Sequence, residues 1–374
     1  MNTVASRFEL IKKIGEGSFG AIYECKHIVT QKKYVVKFED PRICRQLLNE
    51  VKIYTALNGT PGIPTMHWEG TEHGYNVMVL DYLGKSLEDL LIQSEDKKMS
   101  LKSVLMIADQ MISLVQYLHE RNYIHRDIKP HNFLMGKGNG KCMLHMIDFG
   151  CAQKYRSGKT HIHIPYNENR ELVGTARYVS INAHLGIEQS RRDDMECIGY
   201  TLIYLLKGSL PWQGIQCEDQ KEKFKKIADE KMKTSYEALC EGLPPEFIEF
   251  FHIVRNLGFT ERPPYEKIRE MFRRRFISLK YTFDMKYDWT KTKMTRPSSF
   301  SAIKLFNPLI EEDQKLKTHI SEVNQRKVPL PPLERKPLSQ ARATIRKRVI
   351  QHSAHDYRRS APFKLGLELS IMKL

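Results

Sequence analysis

The fold of this 374-residue chain is decided by the stretch His125-Arg126-Asp127-Ile128-Lys129-Pro130-His131-Asn132, which is followed by Asp148-Phe149-Gly150. The stretch brings a carboxylate, a lysine and an amide within six residues, and a second carboxylate follows sixteen residues after the amide. Two short motifs at a fixed separation are a far more specific signal than either motif alone. We therefore interpret the rest of the chain outward from this pair.

A glycine-rich stretch lies upstream of the pair. Residues 14–22 read Ile-Gly-Glu-Gly-Ser-Phe-Gly-Ala-Ile, a G-x-G-x-x-G pattern. Because glycine lacks Cβ, backbone N–H groups in such a loop can approach phosphate oxygens closely. The pattern alone also fits a dinucleotide-binding turn or an ordinary glycine turn. A dinucleotide fold would begin a helix after the last glycine, whereas residues 21–25 have the pattern of a strand, which favours a phosphate-binding hairpin.

A single lysine lies in the next predicted strand. Residues 34–38 are β-branched or aromatic except for Lys37, and most strand lysines are solvated edge charges. The glycine loop directly before the strand favours a different role, in which Lys37 pairs with phosphates. Its expected partner is Glu50 on the following helix, although a solvated helix glutamate is the alternative.

These features together resemble the nucleotide site of protein kinases. More specific motifs resemble the casein kinase 1 family of serine/threonine protein kinases, over nearly all of residues 8–290. Most protein kinases have Ala-Pro-Glu at the end of the activation segment, the stretch that follows Asp148, but this chain has Ser180-Ile181-Asn182. Other stretches typical of the family are residues 75–79, 86–90, 184–194 and 208–214.

The resemblance implies catalytic roles. Asp127 would accept the proton of the substrate hydroxyl, and Lys129 would lie beside the transferred phosphate. Lys37, paired with Glu50, would contact the α- and β-phosphates of ATP. Asp194 is expected to fix the catalytic loop from a buried helix and not to touch the substrate.

The resemblance also implies ATP and Mg²⁺ as cofactors. Asn132 and Asp148 would hold the metal ions. The backbone of the hinge, residues 81–84, would bind adenine. The residues expected to contact ATP are Ile14, Gly15, Glu16, Gly17, Ser18, Phe19, Gly20, Ile22, Lys37, Asp81 and Leu83.

The implied fold class is α+β, in the bilobal arrangement of protein kinases. A small, mostly β N-lobe with one key helix would comprise residues 8–80, and a larger, mostly α C-lobe would comprise residues 85–290. Local patterns agree, because apolar residues recur at three- and four-residue steps from Leu101 to Leu118 and predict an amphipathic helix. Residues 291–374 would form a basic, partly linker-like extension.

Substrate preference is a further implication. Casein kinase 1 enzymes favour protein sites with acidic or phosphorylated residues upstream of the target. The residues that match the family's anion-contacting positions are Arg126, Lys154, Arg170, Arg177 and Lys223. Gln153 departs from the pattern, because family members often have lysine there. The alternative is that these basic residues form a solvated face, or that Arg126 only braces the activation segment.

The charge and the cysteine content limit the classes of protein to which this chain can belong. The net charge is +16, but residues 291–374 hold 18 Lys and Arg against 7 Asp and Glu, so the catalytic part is only mildly basic. The basic residues lack a nucleic-acid-binding module and interleaved aromatics, which disfavours a nucleic-acid-binding protein.

The seven cysteines are scattered without CxxC pairs, which predicts reduced thiols and a cytosolic or nuclear location. No apolar run is long enough to span a membrane, and we expect a monomeric catalytic domain.

A kinase-like scaffold without turnover is the remaining alternative. It would bind partners through the same fold and would not transfer phosphate. The presence of Lys37, Asp127, Asn132 and Asp148 argues against it.

Overall fold

The N-terminal part of the chain forms a six-stranded antiparallel sheet in the computed structural model, which describes residues 3–17, 20–44 and 46–290. The order of the strands is β1-β2-β3-β4-β6-β5. Their bounds are β1 Thr3–Val4, β2 Phe8–Gly17, β3 Gly20–His27, β4 Lys33–Glu39, β5 Met66–Glu72 and β6 Tyr75–Asp81. The predicted strands at 21–25 and 34–38 are both present.

Strand β4 shows how this sheet positions a functional group. Alternate residues of a strand face opposite sides of the sheet, so Val36 and Phe38 enter a small buried core with Phe8 and Val79. Lys37 therefore faces the other side. Because burial of the apolar residues fixes which face of the strand points into this core, Lys37 must point away from it.

Helix α1 (Gln46–Ala56) connects β4 to β5. Its buried residues Leu47, Glu50, Ile53 and Tyr54 recur at three- and four-residue steps, so they share one helix face. The Leu47 N–H donates to the carboxylate of Glu39 at the end of β4, at 2.7 Å. The start of the helix is thus tied to the strand that carries Lys37.

The C-terminal part is mostly helical, so the predicted division into a mostly β N-terminal part and a mostly α C-terminal part is confirmed. Its helices are α2 Leu87–Gln93, α3 Leu101–Glu120, α4 Ile181–His184, α5 Arg191–Lys207, α6 Gln220–Lys233, α7 Tyr236–Leu239, α8 Glu246–Arg255 and α9 Tyr265–Ser278. Short strands β7 (Tyr123–Ile124) and β8 (Phe133–Met135) pair with β10 (Gln153–Lys154) and β9 (Leu144–Met146), respectively. These two hairpin-like pairs frame the decisive sequence motifs. Within the described ranges, no helix is both long and apolar enough to cross a bilayer.

The predicted long helix α3 is the centre of the C-lobe core. Most of its residues are buried, and it packs against α5 and α9. Its start is held by the last described residues, because Asp288 accepts hydrogen bonds from the backbone N–H and hydroxyl of Ser100 and from the hydroxyl of Ser103, at 2.6–2.9 Å. The extension 291–374 lies outside the described residues, so the boundary at 290 stays a prediction.

Candidate active site

The loop that contains Asp127 is fixed by a buried carboxylate. Asp194, at the start of α5 and 1 % exposed, accepts hydrogen bonds from the backbone N–H groups of His125 and Arg126 at 2.7 and 2.8 Å. The same carboxylate contacts the ring of buried His119 at 2.8 Å. The expectation that Asp194 holds the catalytic loop is confirmed. Arg126 adopts the left-handed conformation, with φ 67°, and these hydrogen bonds hold it there.

The carboxylate of Asp127 is surrounded by polar groups. Lys129 Nζ lies 2.8 Å from Oδ2, and the amide nitrogen of Asn132 donates to the Asp127 backbone carbonyl at 2.9 Å. Thr175, in the activation segment, donates its backbone N–H and its hydroxyl to Oδ1, at 2.9 and 2.8 Å. Lys129 also donates to the Thr175 hydroxyl at 3.1 Å. The structure thus brings the predicted base, lysine and amide together.

The predicted ion pair between Lys37 and Glu50 is present. Lys37 Nζ lies 2.7 Å from Glu50 Oε2 and 3.2 Å from Asp148 Oδ1. Burial alone lowers the pKa of Lys37, but the charges of Glu50 and Asp148 outweigh it and hold the pKa above its usual value. For Asp148, burial raises the pKa, and Lys37 outweighs this effect, so the net shift is downward. The lysine is therefore cationic and Asp148 anionic at neutral pH.

Phe149 fixes the backbone around Asp148. Its ring is fully buried and packs edge-on against Tyr54 of α1 at a centroid distance of 4.9 Å, and against His125 at 5.5 Å. Asp148 itself has φ 64°, in the left-handed region. Such a conformation costs free energy in a non-glycine residue, and the packing of Phe149 together with the Lys37 contact opposes that cost.

The glycine-rich hairpin joins β2 and β3, as predicted. Gly17 pairs with Gly20, while Ser18 and Phe19, both expected to contact ATP, lie outside the described residues. Gly20 is required by the protein's own packing, because a Cβ there would lie 1.7 Å from the carbonyl oxygen of Phe38. Glycine at this position is therefore necessary whether or not a phosphate binds.

The sides of the hairpin approach the lysine strand. Ile22 pairs with Gly15 on one side and with Lys37 on the other. Ile14 and Glu16 lie on β2 with exposed side chains. These strand pairings place the predicted nucleotide-contacting residues 20–22 on the strand next to Lys37, and residues 14–16 on the strand beyond it.

At the hinge, the backbone of Leu83 makes no hydrogen bond within the described residues. The polar groups of Asp81 already have partners within the protein, because its N–H donates to the Thr65 carbonyl and its carboxylate contacts the Thr65 N–H and the His67 ring. Leu83 thus offers the donor and acceptor that an adenine edge needs. Asp81 has neither its N–H nor its carboxylate to offer.

The donor set fits a magnesium–nucleotide complex. The residues that would hold the ion, Asn132 and Asp148, supply an amide oxygen and a carboxylate, and the Asn132 oxygen has no hydrogen-bond donor among the described residues. Magnesium is usually held by one or two protein oxygens together with phosphates and water, not by an all-protein cage. No cluster of three or more His, Cys, Asp or Glu suited to a metal occurs in the described part of the chain.

A comparison with protein families agrees with this geometry. The family model described as "Protein kinase domain" matches residues 8–327. The chain belongs to the protein kinase domain family. The match extends beyond residue 290, where the sequence patterns suggested that the kinase domain ends.

The basic residues of the kinase that were predicted to contact anions have different surroundings. Arg126 donates through Nε to the carbonyl of Cys151 at 2.7 Å. Burial lowers the pKa of Arg126, and the nearby charge of Arg170 adds to this effect. Arg170 is itself paired with Glu188 at 2.8 Å. Arg126 thus has a backbone carbonyl as its partner, and Arg170 has a carboxylate.

The other three basic residues come from separate elements. Arg177 lies over the rings of Tyr178 and Tyr204, at 5.7 and 5.5 Å. Lys154 is exposed on β10, and Lys223 is half-buried on α6. No direct contact joins Lys154, Arg177 or Lys223 to the Arg126–Arg170 pair within the described residues, so their common role stays a prediction.

Two residues of the kinase were missed as functional from the sequence. Thr175 lies between the Asp148-Phe149-Gly150 and Ser180-Ile181-Asn182 motifs, and because its bond to Asp127 spans 48 positions, no local pattern indicates it. Lys231, on α6, is 3 % exposed. Its position four residues after buried Ile227 was the available signal, but an unpaired lysine is rarely buried. Cys151 directly follows the Asp148-Phe149-Gly150 motif, and burial raises its pKa to about 11, which disfavours a reactive thiolate at neutral pH.

Proposed function

We propose that this kinase is an ATP- and magnesium-dependent serine/threonine protein kinase of the casein kinase 1 type. The observation that carries the proposal is the Asp127 carboxylate, 2.8 Å from Lys129 and adjacent to Asn132, together with the Lys37–Asp148 contact. Subfamily motifs at 180–182, 184–194 and 208–214 support the finer assignment. A cytosolic or nuclear location is part of the proposal and is supported by the absence of disulfides among the seven cysteines.

In the proposed reaction, Asp127 orients a serine or threonine hydroxyl and accepts its proton. The hydroxyl oxygen bonds to the γ-phosphorus while the bond from that phosphorus to the bridging oxygen breaks. Lys129 stabilises charge on the transferred group, and Lys37 holds the remaining phosphates. Bound magnesium supplies neutralisation of phosphate charge, with Asn132 and Asp148 as its protein ligands.

The proposed substrates are protein sites with acidic or phosphorylated residues upstream of the target. Support comes from Arg126 and Arg170, whose positive charges act on each other, since guanidinium groups suit phosphate oxygens. The ion pair of Arg170 with Glu188 competes with this use. The preference is therefore expected to depend on Arg177 and Lys223 as well.

The decisive experiment compares the full-length wild type with Asp127→Asn on casein and on peptides, with ATP and magnesium. Removing the proton acceptor is expected to lower kcat by about 10²- to 10⁴-fold, with little change in nucleotide affinity, because Asp127 does not contact Lys37. Phosphoamino-acid analysis of the product should show phosphoserine or phosphothreonine.

Two outcomes would contradict the proposal. Equal turnover by wild type and Asp127→Asn would remove the assigned base. Nucleotide binding by the wild type without transfer to any substrate would instead favour the scaffold that acts through partner binding.

A further inference from the structure

The backbone of residues 175–179 is held by side chains from distant parts of the chain. Lys231 Nζ donates to the carbonyls of Ala176 and Val179, at 3.0 and 2.5 Å. The carbonyl of Arg177, which lies between them, accepts from Trp212 Nε1 at 2.7 Å. Three of the carbonyls in one short irregular segment are therefore bound from outside it.

The ring of His184 adds a further contact. Its Nε2 lies 3.1 Å from the Ala176 carbonyl that Lys231 also binds. Because a carbonyl oxygen has two lone pairs, it can accept both bonds. The 175–179 segment is thus fixed from α4, from α6 and from the loop that contains Trp212.

Lys231 is an unusual residue to find in this position. It is 3 % exposed, and no carboxylate of the described residues lies within 4.0 Å of its ammonium group. Its amine lies over the rings of Tyr200 and Trp212, at 4.9 and 5.1 Å. Burying a cation without an ionic partner is costly, and the two carbonyls and two aromatic faces are what offset that cost.

The segment that Lys231 holds begins at the catalytic carboxylate. Thr175 binds Asp127 through its N–H and its hydroxyl, so residues 175–179 form a wall beside the position where a substrate hydroxyl must approach. Small displacements of this segment are expected to slow the reaction, because the reacting atoms must be held in near-attack geometry.

We infer that Lys231 is a positioning residue, which fixes the phosphoacceptor wall at residues 175–179 by binding the carbonyls of Ala176 and Val179. It acts through the backbone of that segment and does not touch the substrate. The inference rests on the proposed function, since it assumes that a protein hydroxyl is the acceptor. It goes beyond that function by assigning a role to a buried lysine outside the motifs that hold the nucleotide.

The test is Lys231→Met, which keeps the aliphatic stem and removes the donors. We expect the KM for a phosphoacceptor peptide to rise roughly tenfold or more, as expected for the loss of hydrogen bonds from a charged group. The KM for ATP should stay within about twofold, because Lys231 has no contact with Lys37, Asp148 or the hinge. A merely structural lysine would lower the melting temperature without separating the two KM values.

Lys226→Met is the matched control, since Lys226 lies on the same helix with an exposed side chain and pairs only at the surface. Both KM values should be unchanged in this variant. Should Lys231→Met not fold, Trp212→Phe decides, because it removes the donor to the Arg177 carbonyl and keeps an aromatic ring. It is expected to raise the peptide KM selectively as well.

An active Lys231→Met protein with wild-type peptide KM would overturn the inference. So would equal rises of the peptide and ATP KM values, or, where only Trp212→Phe folds, an unchanged peptide KM in that variant. Failure of the proposed function is seen separately, as a wild type that phosphorylates no substrate, and it would remove both.

Discussion

At the scale of single residues, Lys231 also makes a prediction about stability and pH. Burial lowers its pKa from the usual 10.5 to about 7 in the folded protein. Between these two values the unfolded chain binds a proton that the folded chain does not, so stability rises with pH. The titratable groups that face Lys231 are Cys197 and Glu196 of α5, together with His184, whose own pKa is lowered by burial and by Lys231.

Lys231→Met removes this titration. As the pH rises above 7, the free energy of unfolding of the wild type should therefore increase relative to that of the variant. The difference should grow by up to about 1.4 kcal/mol per pH unit. Urea unfolding at pH 7 and pH 9 measures both slopes. Because the cysteines and tyrosines are common to both proteins, their titration contributes equally to both slopes and drops out of the difference. Identical slopes of unfolding free energy against pH would contradict the assigned pKa of Lys231.

At the scale of elements, helix α5 organises the catalytic loop through Asp194. This carboxylate accepts two backbone N–H groups and contacts His119 in a fully buried site. Burial raises its pKa, and the bond to His119 with the nearby positive charge outweighs this, so the net shift is downward. The helix thus supplies an anion that neither the loop nor α3 could provide by itself.

Asp194→Asn is expected to lower both stability and kcat. The amide offers one acceptor where the carboxylate offers two, and its NH₂ would face a backbone donor, so a buried N–H loses its partner at a cost of about 1–3 kcal/mol. Thermal unfolding and single-turnover phosphorylation measure the two effects. Asp229→Asn, at an exposed position of α6, is the control, and equal behaviour of the two variants would refute the assigned role.

Local sequence patterns predicted the elements well where side chains alternate or repeat. Lys37 and Glu50 could be paired because a strand and a helix with regular spacing carry them. The bonds of Asp127 to Thr175 and of Lys231 to Ala176 could not be predicted, because they join residues 48 and 55 positions apart, and Thr175 and Ala176 lie in irregular backbone. Strand β5 was missed because its exposed residues alternate with half-buried ones and give a weak apolar signal.

At the scale of the whole molecule, charge is unevenly spread. The chain has a net charge of +16, yet the proposed substrate preference depends on few residues near the cleft. Surface charges separated by more than about 8–10 Å are largely screened at physiological salt. Specificity for anionic substrates should therefore follow local basic residues and not the total charge.

Arg177→Ala combined with Lys223→Ala tests this distinction. We expect kcat/KM for phosphoprimed peptides to fall about tenfold more than for unprimed peptides, and the preference of the wild type to weaken as salt is raised. The control Lys233→Ala with Lys267→Ala removes the same charge from exposed positions on α6 and α9. An equal loss on both peptides would exclude the anion site.

The backbone of Arg126 and Asp148 has a consequence for heat sensitivity. Both residues are in the left-handed region, at φ 67° and 64°, and each such conformation costs on the order of 1–3 kcal/mol. Only a few hydrogen bonds and one packed ring oppose that cost, whereas no residue of α3 has a left-handed backbone conformation. Warming should therefore disable turnover several degrees before the scaffold melts, so that the catalytic centre is the first part of the protein to fail and the first to recover on cooling.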